Sequence, residues 1–308
     1  MRLVGILSIW KGGPMMRFFV ADAFTQKPFY GNPAGVVLLN DDHAISKETM
    51  LNIAKEVRFS ETAFVRQRSD NEFVLLYFTP VSEIDLCGHA TIATFYVLKE
   101  ESIIQENKKY IAHTRTGAIE VTVEDGKVMM EQAEPQMMET SEEMNFDETT
   151  LAELLGIEAG EIGDDKYSLK PRIVSTGLWD MIIPVRSKHT LFTISPNLDG
   201  IEDFCRINNI VSFHVFTLDE HRALANCRDF APLYGIPEES ATGTANGALI
   251  YYLYTHGVVQ PDVTYEIIQG ETMGRMSNIF ASLKYKDGIY KAFVGGHARV
   301  IIKGDLHI

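Results

Sequence analysis

Two short segments, half a chain apart, place similar chemical groups in front of a predicted helix. They are Asp85-Leu86-Cys87-Gly88-His89-Ala90-Thr91 and Glu239-Ser240-Ala241-Thr242-Gly243-Thr244-Ala245. In each, an acidic residue is followed by a glycine, small or hydroxylated residues and an apolar run. Glycine lets backbone N–H groups approach a ligand, and a helix N-terminus favours an anion. Either segment alone is typical of an ordinary turn before a helix, but together they predict a site for a small carboxylate.

Glu61 is a third chemical candidate, because residues 58–65 are predicted to form a β-strand. Strand alternation places its side chain on the same face as Phe59, Ala63 and Val65. Burial among apolar side chains raises the pKa of a carboxyl group, and a glutamate with a raised pKa can carry a proton near neutral pH. Spacing alone favours the simpler interpretation, a glutamate at a strand edge that reaches solvent.

The composition limits the kinds of protein in which such a site can occur. The chain has 308 residues, of which 45% are hydrophobic and 23% are charged, and this predicts a globular protein of about two domains. The formal net charge is -14, and the sequence shows no basic cluster, so we expect neither nucleic acid nor a membrane as a partner. No run reaches the ~18 apolar residues that cross a bilayer.

The cysteines and the first residues indicate the compartment. Cys87, Cys205 and Cys227 form no Cys-x-x-Cys pair, so neither a disulfide framework nor a metal site is predicted. A reducing compartment, the cytoplasm, is therefore expected. Residues 1–15 hold a short apolar run but lack the cleavage site of a secretory signal, and we interpret them as an N-terminal extension outside the fold.

The order of predicted elements indicates an α+β fold with two pseudo-symmetric domains, each a curled mixed β-sheet around a central helix. One central helix starts near Gly88 and the other near Gly243. Further helices are predicted after Ser46 and over residues 148–155 and 198–208. The predicted domains cover residues 16–131 and 132–308, and the last strand of the chain is a candidate for return to the first domain.

Motifs spread along the chain carry a family resemblance. They are Asp22-Ala23-Phe24-Thr25, Phe29-Tyr30-Gly31-Asn32-Pro33-Ala34, Phe59-Ser60-Glu61-Thr62-Ala63-Phe64, Gly88-His89-Ala90-Thr91, Ala241-Thr242-Gly243-Thr244-Ala245, and Gln269-Gly270 with Met273-Gly274-Arg275. In this order they resemble the motifs of the phenazine-biosynthesis (PhzF-like) isomerase family. The resemblance runs from about residue 17 to the C-terminus.

This resemblance implies the diaminopimelate-epimerase fold, an active site in the cleft between two domains, no cofactor and a homodimer. It also implies that Glu61 is the catalytic acid/base. The family's substrate-binding positions are matched by Gly88, His89, Glu239, Gly243 and Thr244. The expected function is therefore a cofactor-independent isomerase that moves a proton within a small cyclic or unsaturated carboxylate.

His89 and Glu239 each lie within a few residues of a predicted helix start. We expect them to face each other across the cleft and to hold polar groups of the substrate. The alternative for His89 is a histidine at a helix start that is satisfied by the backbone.

Two positions depart from the residues that are usual in the family. Asp is usual where this chain has Glu239, and Ser is usual where it has Thr244. Each change keeps the functional group but alters its reach or adds a methyl group, so the pocket is expected to differ in shape from that of the phenazine enzyme. The departures bear on the identity of the substrate more than on the type of reaction.

Cys87 supports other functions. In the related proline racemases and diaminopimelate epimerases, a Cys-Gly-His or Cys-Gly-Asn motif supplies one of two catalytic thiols, and Cys87-Gly88-His89 resembles it. A thiol at a helix start is expected to have a lowered pKa. The second segment has Thr242 where the partner thiol would be, which leaves a dehydratase or epimerase using Cys87 and Thr242, or a small buried cysteine that only packs. A non-catalytic protein that binds a metabolite is the remaining alternative.

Overall fold

The computed structural model describes residues 15–39, 45–138, 147–218, 222–286 and 288–308. The predicted extension lies outside the described residues except for Met15, where the first strand begins. The elements of the first half are β1 (Met15–Ala23), β2 (Asn32–Leu38), α1 (Lys47–Val57), β3 (Thr62–Ser69), β4 (Glu72–Phe78), β5 (Glu83–Ile84), α2 (Gly88–Glu100), β6 (Lys108–Thr114), β7 (Gly117–Glu124) and β8 (Lys127–Glu131). Those of the second half are β9 (Gln136–Met137), α3 (Glu148–Leu155), β10 (Arg172–Ser175), β11 (Trp179–Pro184), α4 (Lys188–Thr193), α5 (Leu198–Asn208), β12 (Ser212–Leu218), β13 (Ala225–Ala231), β14 (Ile236–Glu239), α6 (Gly243–Thr255), β15 (Thr264–Gln269), β16 (Ser277–Lys286), β17 (Ile289–Gly296) and β18 (Ala298–His307).

Helices α2 and α6 form the centres of the two halves because they are apolar on nearly every side. Residues 89–95 of α2 and residues 245–250 of α6 are buried without interruption. A helix of this kind must be surrounded by other elements. Accordingly, α2 packs against β1, β2, β3, β8 and β18, and α6 packs against β10, β11, β16 and β17.

The two halves repeat one order of strand pairing. In the first half β1 and β2 pair antiparallel, β2 and β3 parallel, β3 and β4 antiparallel, and β4 and β6 parallel. In the second half β10, β11, β12, β13 and β15 pair in the same alternation. A parallel pair needs a crossover connection, which is usually a helix, and α2 and α6 occupy the equivalent crossover in each half. The predicted α+β fold with pseudo-symmetric units around central helices is confirmed.

The two halves are joined edge to edge through their strands. β8 pairs with β17, and the last strand, β18, returns to pair with β1. The described strands therefore form one continuous series of pairings. The last strand was a candidate for return to the first half, and β18 does return there. A domain boundary near residue 131 stays a prediction.

The segment around Glu61 differs from its prediction. The sequence predicts a strand over residues 58–65, but β3 begins only at Thr62. Arg58 instead ends α1 in the left-handed region, with a φ of 59°, so Glu61 lies in the connection between α1 and β3. Strand alternation therefore does not set the direction of its side chain. The helices predicted after Ser46, over 148–155 and over 198–208 are confirmed, but α4 and β14 were not predicted.

Gly295 provides a test of the junction between the halves. It lies in β17 opposite Met129 of β8, and a Cβ atom there would overlap the carbonyl oxygen of Val128. We expect Gly295→Ala to lower the free energy of unfolding by about 1–3 kcal/mol, because backbone must shift to relieve the overlap. Gly304→Ala in β18 is the matched control, since its added Cβ would meet open space. Equal urea denaturation midpoints for the two variants would contradict this account of the junction.

Candidate active site

The N-termini of the two central helices face each other. Gly88 is the first residue of α2, and Gly243 is the first residue of α6. A Cβ atom on Gly88 would lie 3.8 Å from the Cα atom of Gly243. A methyl group at Gly88 would therefore be in van der Waals contact with the start of α6. The unpaired N–H groups and the dipoles of both helices favour a negative charge at this point.

Glu61, Cys87 and His89 form an acid–base cluster beside the helix starts. Nε2 of His89 lies 3.0 Å from Oε2 of Glu61, and its Nδ1 lies 3.4 Å from Sγ of Cys87. The side chains of His89 and Glu61 are 5% and 12% exposed. The imidazole therefore links a thiol to a carboxylate that retains a small opening to solvent.

Glu239 and Asn32 approach the same imidazole from the other side. Oε1 of Glu239 lies 3.8 Å from Nδ1 of His89. Nδ2 of Asn32 donates to Oε1 of Glu239 and to the carbonyl oxygen of Ala241, each at 3.0 Å, and lies 3.2 Å from Nδ1 of His89. The structure thus brings His89 and Glu239 together, as the sequence analysis expected.

The contact between Glu61 and His89 sets the charge of both groups. Burial raises the pKa of Glu61, but His89, together with Ser60 and Cys87, lowers it by more, so this pKa lies below its usual value. Burial lowers the pKa of His89, but Cys87 and Glu61 raise it by more, so that pKa lies well above its usual value. At neutral pH, a Glu61 carboxylate therefore lies beside a protonated imidazole. The raised pKa that the sequence analysis expected for Glu61 is wrong, because that expectation did not include the contact with His89.

Glu239 differs in charge from Glu61, although both carboxyl groups contact His89. Burial raises the pKa of Glu239, His89 lowers it, and the carboxylates of Asp229 and Glu61 raise it again, with the result that it is about 7. Two carboxyl groups whose pKa values are pushed apart are typical of a site with one base and one acid. Below about pH 7, Glu239 is therefore mostly protonated while Glu61 is ionised.

The two threonines of the second segment have different surroundings. Thr242 is the N-cap residue of α6, and its hydroxyl lies 3.0 Å from a carboxyl oxygen of Glu239 and 3.0 Å from one of Asp229. Thr244 lies in the first turn of α6, where its carbonyl accepts a hydrogen bond from the hydroxyl of Thr176. Thr242 therefore belongs to the polar cluster, whereas a substrate contact of Thr244 stays a prediction.

Asp85 does not play the part of Glu239 in the first segment. In the sequence the two are equivalent, as the acidic residues that precede each glycine. Asp85 is 64% exposed, and its carboxylate lies 2.9 Å from Nε of Arg115. The likeness between the two segments therefore extends to the helix starts but not to the acidic residues.

The structure adds Asn32, Asp229 and Gln269 to the site. Nε2 of Gln269 donates to the carbonyl oxygen of Glu239 at 2.8 Å and to the hydroxyl of Thr242 at 3.1 Å, and its Oε1 accepts from the N–H of Thr242 at 3.2 Å. Gln269 therefore fixes the turn that leads into α6. Asn32 and Gln269 occur in the motifs that carry the family resemblance, whereas no local pattern marks Asp229.

Arg275 holds the loop that carries Asn32 against the second half. Its guanidinium lies 2.9 Å from Oδ1 of Asp22 and donates to the carbonyl oxygen of Gly31 at 2.9 Å. The hydroxyl of Ser240 donates to the same carbonyl at 3.1 Å. The motifs around Asp22 and Arg275 thus position the site without belonging to the acid–base cluster.

The cluster also offers donor atoms of a kind that metals accept. Ligand atoms of Glu61, Cys87 and His89 lie within 4.8 Å of one another, and carboxylate, thiolate and imidazole are all zinc ligands. The same distances fit a hydrogen-bonded acid–base contact, in which His89 keeps the proton that a metal would displace. The absence of a metal site stays a prediction from the sequence.

Known proteins match this chain over almost its whole length. Residues 21–304 match the family model described as phenazine biosynthesis-like protein. The chain belongs to this family. It is 32% identical over 273 residues to the trans-2,3-dihydro-3-hydroxyanthranilate isomerase of Pseudomonas aeruginosa, an alignment that covers 87% of this chain and 90% of that protein. It also resembles the crystal structure of a Bacillus anthracis phenazine biosynthesis protein of the PhzF family, with a TM-score of 0.84, 27% identity and coverage of 96% of this chain and 100% of that one.

A more distant structure shares the fold alone. A probable proline racemase from Agrobacterium radiobacter K84 matches with a TM-score of 0.62 and 10% identity, covering 95% of this chain and 93% of that one. The epimerase-like fold is therefore confirmed. Since matching members of the phenazine biosynthesis-like family are isomerases, this protein is an isomerase. Within the described ranges, none of the helices has both the length and the apolar character that crossing a bilayer requires.

A surface cavity of about 300 Å³ shares no residue with the acid–base cluster. Its lining includes Tyr96, Lys99, His297 and Arg299. Lys99 is already paired with Glu106 at 3.0 Å. Neither Glu61 nor His89 lines this cavity; both lie at the helix starts.

Proposed function

We propose that the protein moves a proton within a small cyclic or unsaturated carboxylate without a cofactor, and that Glu61 is the general acid/base. The observation that carries this proposal is the 3.0 Å contact between Glu61 and His89 beside the facing starts of α2 and α6. Proton removal next to a carboxylate needs a base and a stabiliser of the charge that develops. Glu61 supplies the base, and the helix starts with His89 supply the positive potential.

The substrate class follows from the charges around the helix starts. Gly88 and Gly243 carry no side chain that would cover the N-termini of the two helices. The helix N-termini, the imidazolium of His89 and the neutral form of Glu239 together favour one anionic group. A carboxylate bound there takes up charge when the neighbouring carbon loses its proton. The Pseudomonas aeruginosa relative is named for a substrate of this class, trans-2,3-dihydro-3-hydroxyanthranilate.

In the proposed step, the Glu61 carboxylate removes a proton from a carbon next to the activating carboxylate or enamine. The electrons of the broken C–H bond enter the conjugated system of the substrate, and the proton becomes bound to an oxygen of Glu61. Glu61 then returns the proton to another carbon, where the new C–H bond takes its electrons from the same conjugated system. Substrate and product contain the same atoms, and no oxidant or reductant is consumed. The lowered pKa of Glu61 keeps it ionised before the step.

Uptake of solvent deuterium tests this function. The dialysed protein is incubated in D₂O with trans-2,3-dihydro-3-hydroxyanthranilate and with a panel of related cyclic carboxylates, because Glu239 and Thr244 alter the pocket. NMR follows the substrate and the product. We expect deuterium at the carbon that receives the proton, since a protonated carboxyl group exchanges with solvent. Binding without deuterium uptake and without product would contradict the proposal.

The alternative that uses Cys87 and Thr242 is less well supported. Burial raises the pKa of Cys87, and His89 does not lower it enough to compensate. The lowered pKa expected from the helix start is therefore wrong. The hydroxyl of Thr242 is held between Glu239 and Asp229. A raised pKa leaves Cys87 with less of the thiolate form that would act as a base, and this favours Glu61 as the proton carrier.

His89→Ala is expected to weaken substrate binding by about 10- to 100-fold, the usual value of a charge-assisted hydrogen bond. The change removes the imidazolium at the anion site and leaves Glu61 without its partner. His113→Ala is the matched control, because His113 also lies beside a glutamate, Glu72, at 2.9 Å but in β6. Calorimetry measures both affinities, and an unchanged affinity in His89→Ala would remove His89 from the site.

A further inference from the structure

A line of three carboxyl groups, the partly exposed Glu239 and the buried Asp229 and Asp180, leads from the acid–base cluster into the second half. The hydroxyl of Thr242 lies 3.0 Å from Oε2 of Glu239 and 3.0 Å from Oδ2 of Asp229. The hydroxyl of Ser212 lies 2.9 Å from Oδ1 of Asp229 and 2.9 Å from Oδ1 of Asp180. We call this series the carboxyl line. Asp180, Ser212 and Asp229 are almost completely buried, so water does not satisfy their polar atoms.

The number of hydrogens in the carboxyl line fixes how many protons it holds. A hydroxyl has one hydrogen, so Thr242 donates to Glu239 or to Asp229 but not to both. Ser212 has the same limit between Asp229 and Asp180. At each hydroxyl, the second contact between two oxygens is attractive only if the carboxyl group itself carries the hydrogen. The carboxyl line therefore holds two carboxyl protons.

Asp229 is the member of the line without a proton. Its Oδ1 lies 2.9 Å from Nδ1 of His214 and 2.9 Å from the hydroxyl of Ser212, and its Oδ2 lies beside Thr242. As a carboxylate, Asp229 accepts a hydrogen from each of these three groups, whereas a protonated Asp229 would lose one of them. Several accepted hydrogen bonds stabilise a buried carboxylate. The middle carboxyl group is therefore the ionised one.

Glu239 and Asp180 then carry the two protons, and their surroundings agree with this. Burial and the charge of Asp229 raise the pKa of Asp180 well above its usual value, and the pKa of Glu239 is about 7. Oδ2 of Asp180 has no hydrogen-bond partner among the described residues. This is tolerable for the carbonyl oxygen of a neutral acid and costly for a buried charge.

Other titratable groups face the line from every side. Around Glu239 and Asp229 these are Glu61 before β3, His89 of α2, Asp180 of β11, Cys205 of α5, His214 of β12 and Cys227 of β13. Burial raises the pKa of both cysteines, so they stay neutral. The negative charge that faces Glu239 from the second half is therefore that of Asp229.

We propose that Asp229 is a positioning residue that acts through the Thr242 hydroxyl to keep Glu239 protonated. Thr242 gives its only hydrogen to Asp229, so its oxygen accepts the hydrogen of Glu239. As a result, the site presents one carboxylate, Glu61, to an anionic substrate and not two. The role toward substrate rests on the proposed function, whereas the distribution of protons is a property of the free protein.

Asp229→Asn tests this proposal by reversing a hydrogen bond. His214 donates to Oδ1 at position 229, so the asparagine keeps its oxygen there and places its amide nitrogen beside Thr242. The amide then donates to the Thr242 oxygen. The Thr242 hydroxyl therefore donates its hydrogen to Glu239, which favours the ionised form of Glu239. Infrared difference spectroscopy of protein with ¹³C-labelled glutamate follows the carboxyl band that is lost in Glu239→Gln. We expect a titration midpoint of about 7 in the unaltered protein and a midpoint lower by about one pH unit or more in Asp229→Asn. An unchanged midpoint in the folded variant overturns the proposal.

Asp180→Asn tests whether Asp180 carries one of the two protons of the carboxyl line. A protonated Asp180 gives one hydrogen to Ser212, and an amide does the same, so the midpoint of Glu239 should not move. A fall like that in Asp229→Asn would show that Asp180 is charged and would overturn the count. If Asp229→Asn does not fold, infrared spectra of the protein with ¹³C-labelled aspartate provide the test. The proposal requires one band of a protonated aspartate in the unaltered protein, and this band must be absent in Asp180→Asn. These spectra need no turnover, so failure of deuterium uptake would refute the proposed function and leave the proton count standing.

Discussion

Glu61→Gln is expected to slow deuterium exchange by about 10²–10⁴-fold while substrate binding persists. The amide keeps the shape of the side chain and its contact with Nε2 of His89, which is 3.0 Å from Oε2 in the unaltered protein. It cannot accept a proton from carbon. The variant should therefore lose kcat and keep its affinity within about tenfold, as expected for a group that acts in the transition state. NMR in D₂O measures the exchange, and calorimetry measures the binding.

Glu101→Gln is the matched control for this change. The Glu101 side chain is also 12% exposed, and it also forms ion pairs, with Arg17 and Lys303, but at the opposite end of α2. We expect it to exchange deuterium at the unaltered rate. Full exchange in Glu61→Gln together with loss in Cys87→Ala would move the chemistry to the thiol.

Binding of the anionic substrate is expected to weaken as the pH rises through about 7, the pKa of Glu239. Glu239 is neutral below this pKa and ionised above it. Because the pKa is raised above its usual value, the change of charge falls near neutral pH. The ionised form adds a second carboxylate beside Glu61 and repels the anion. If the neutral form alone binds, the Kd rises by about tenfold for each pH unit above the pKa. Calorimetry of the unaltered protein with an unreactive carboxylate analogue of the substrate measures this dependence.

Glu239→Gln identifies the group responsible for the pH dependence. The amide is neutral at every pH, so its affinity for the substrate should be constant through neutral pH. His89 also carries a charge at the site, but its pKa lies well above the usual value, and its titration falls at higher pH. A dependence through neutral pH that persists in Glu239→Gln would show that Glu239 does not control it.

The helix starts could be predicted from the sequence because local pattern encodes them. Gly88 and Gly243 each precede an apolar run, and a buried helix needs such a run whatever surrounds it. The approach of the two helix starts was expected from their likeness and from the family resemblance. Their actual separation depends on the pairing of β8 with β17 and of β18 with β1, which no local pattern reports.

The charge of the site could not be predicted, because it depends on contacts between distant residues. Glu61 was assigned to a strand face by spacing, yet its pKa is set by His89 from α2. Asp229 faces His214 across the register of β12 and β13 and meets Glu239 through the hydroxyl of Thr242. Each of these contacts joins residues from different elements, and neither alternation nor helical period carries information about them.

The position of a bound substrate tests the central claim most directly. A crystal structure of Glu61→Gln with trans-2,3-dihydro-3-hydroxyanthranilate is expected to show the carboxylate against the helix starts at Gly88 and Gly243. The amide at position 61 should then lie within ~3.5 Å of the carbon that loses its proton. A ligand bound only in the surface cavity beside Lys99 and Arg299, or one whose reacting carbon is out of reach of position 61, would contradict the account.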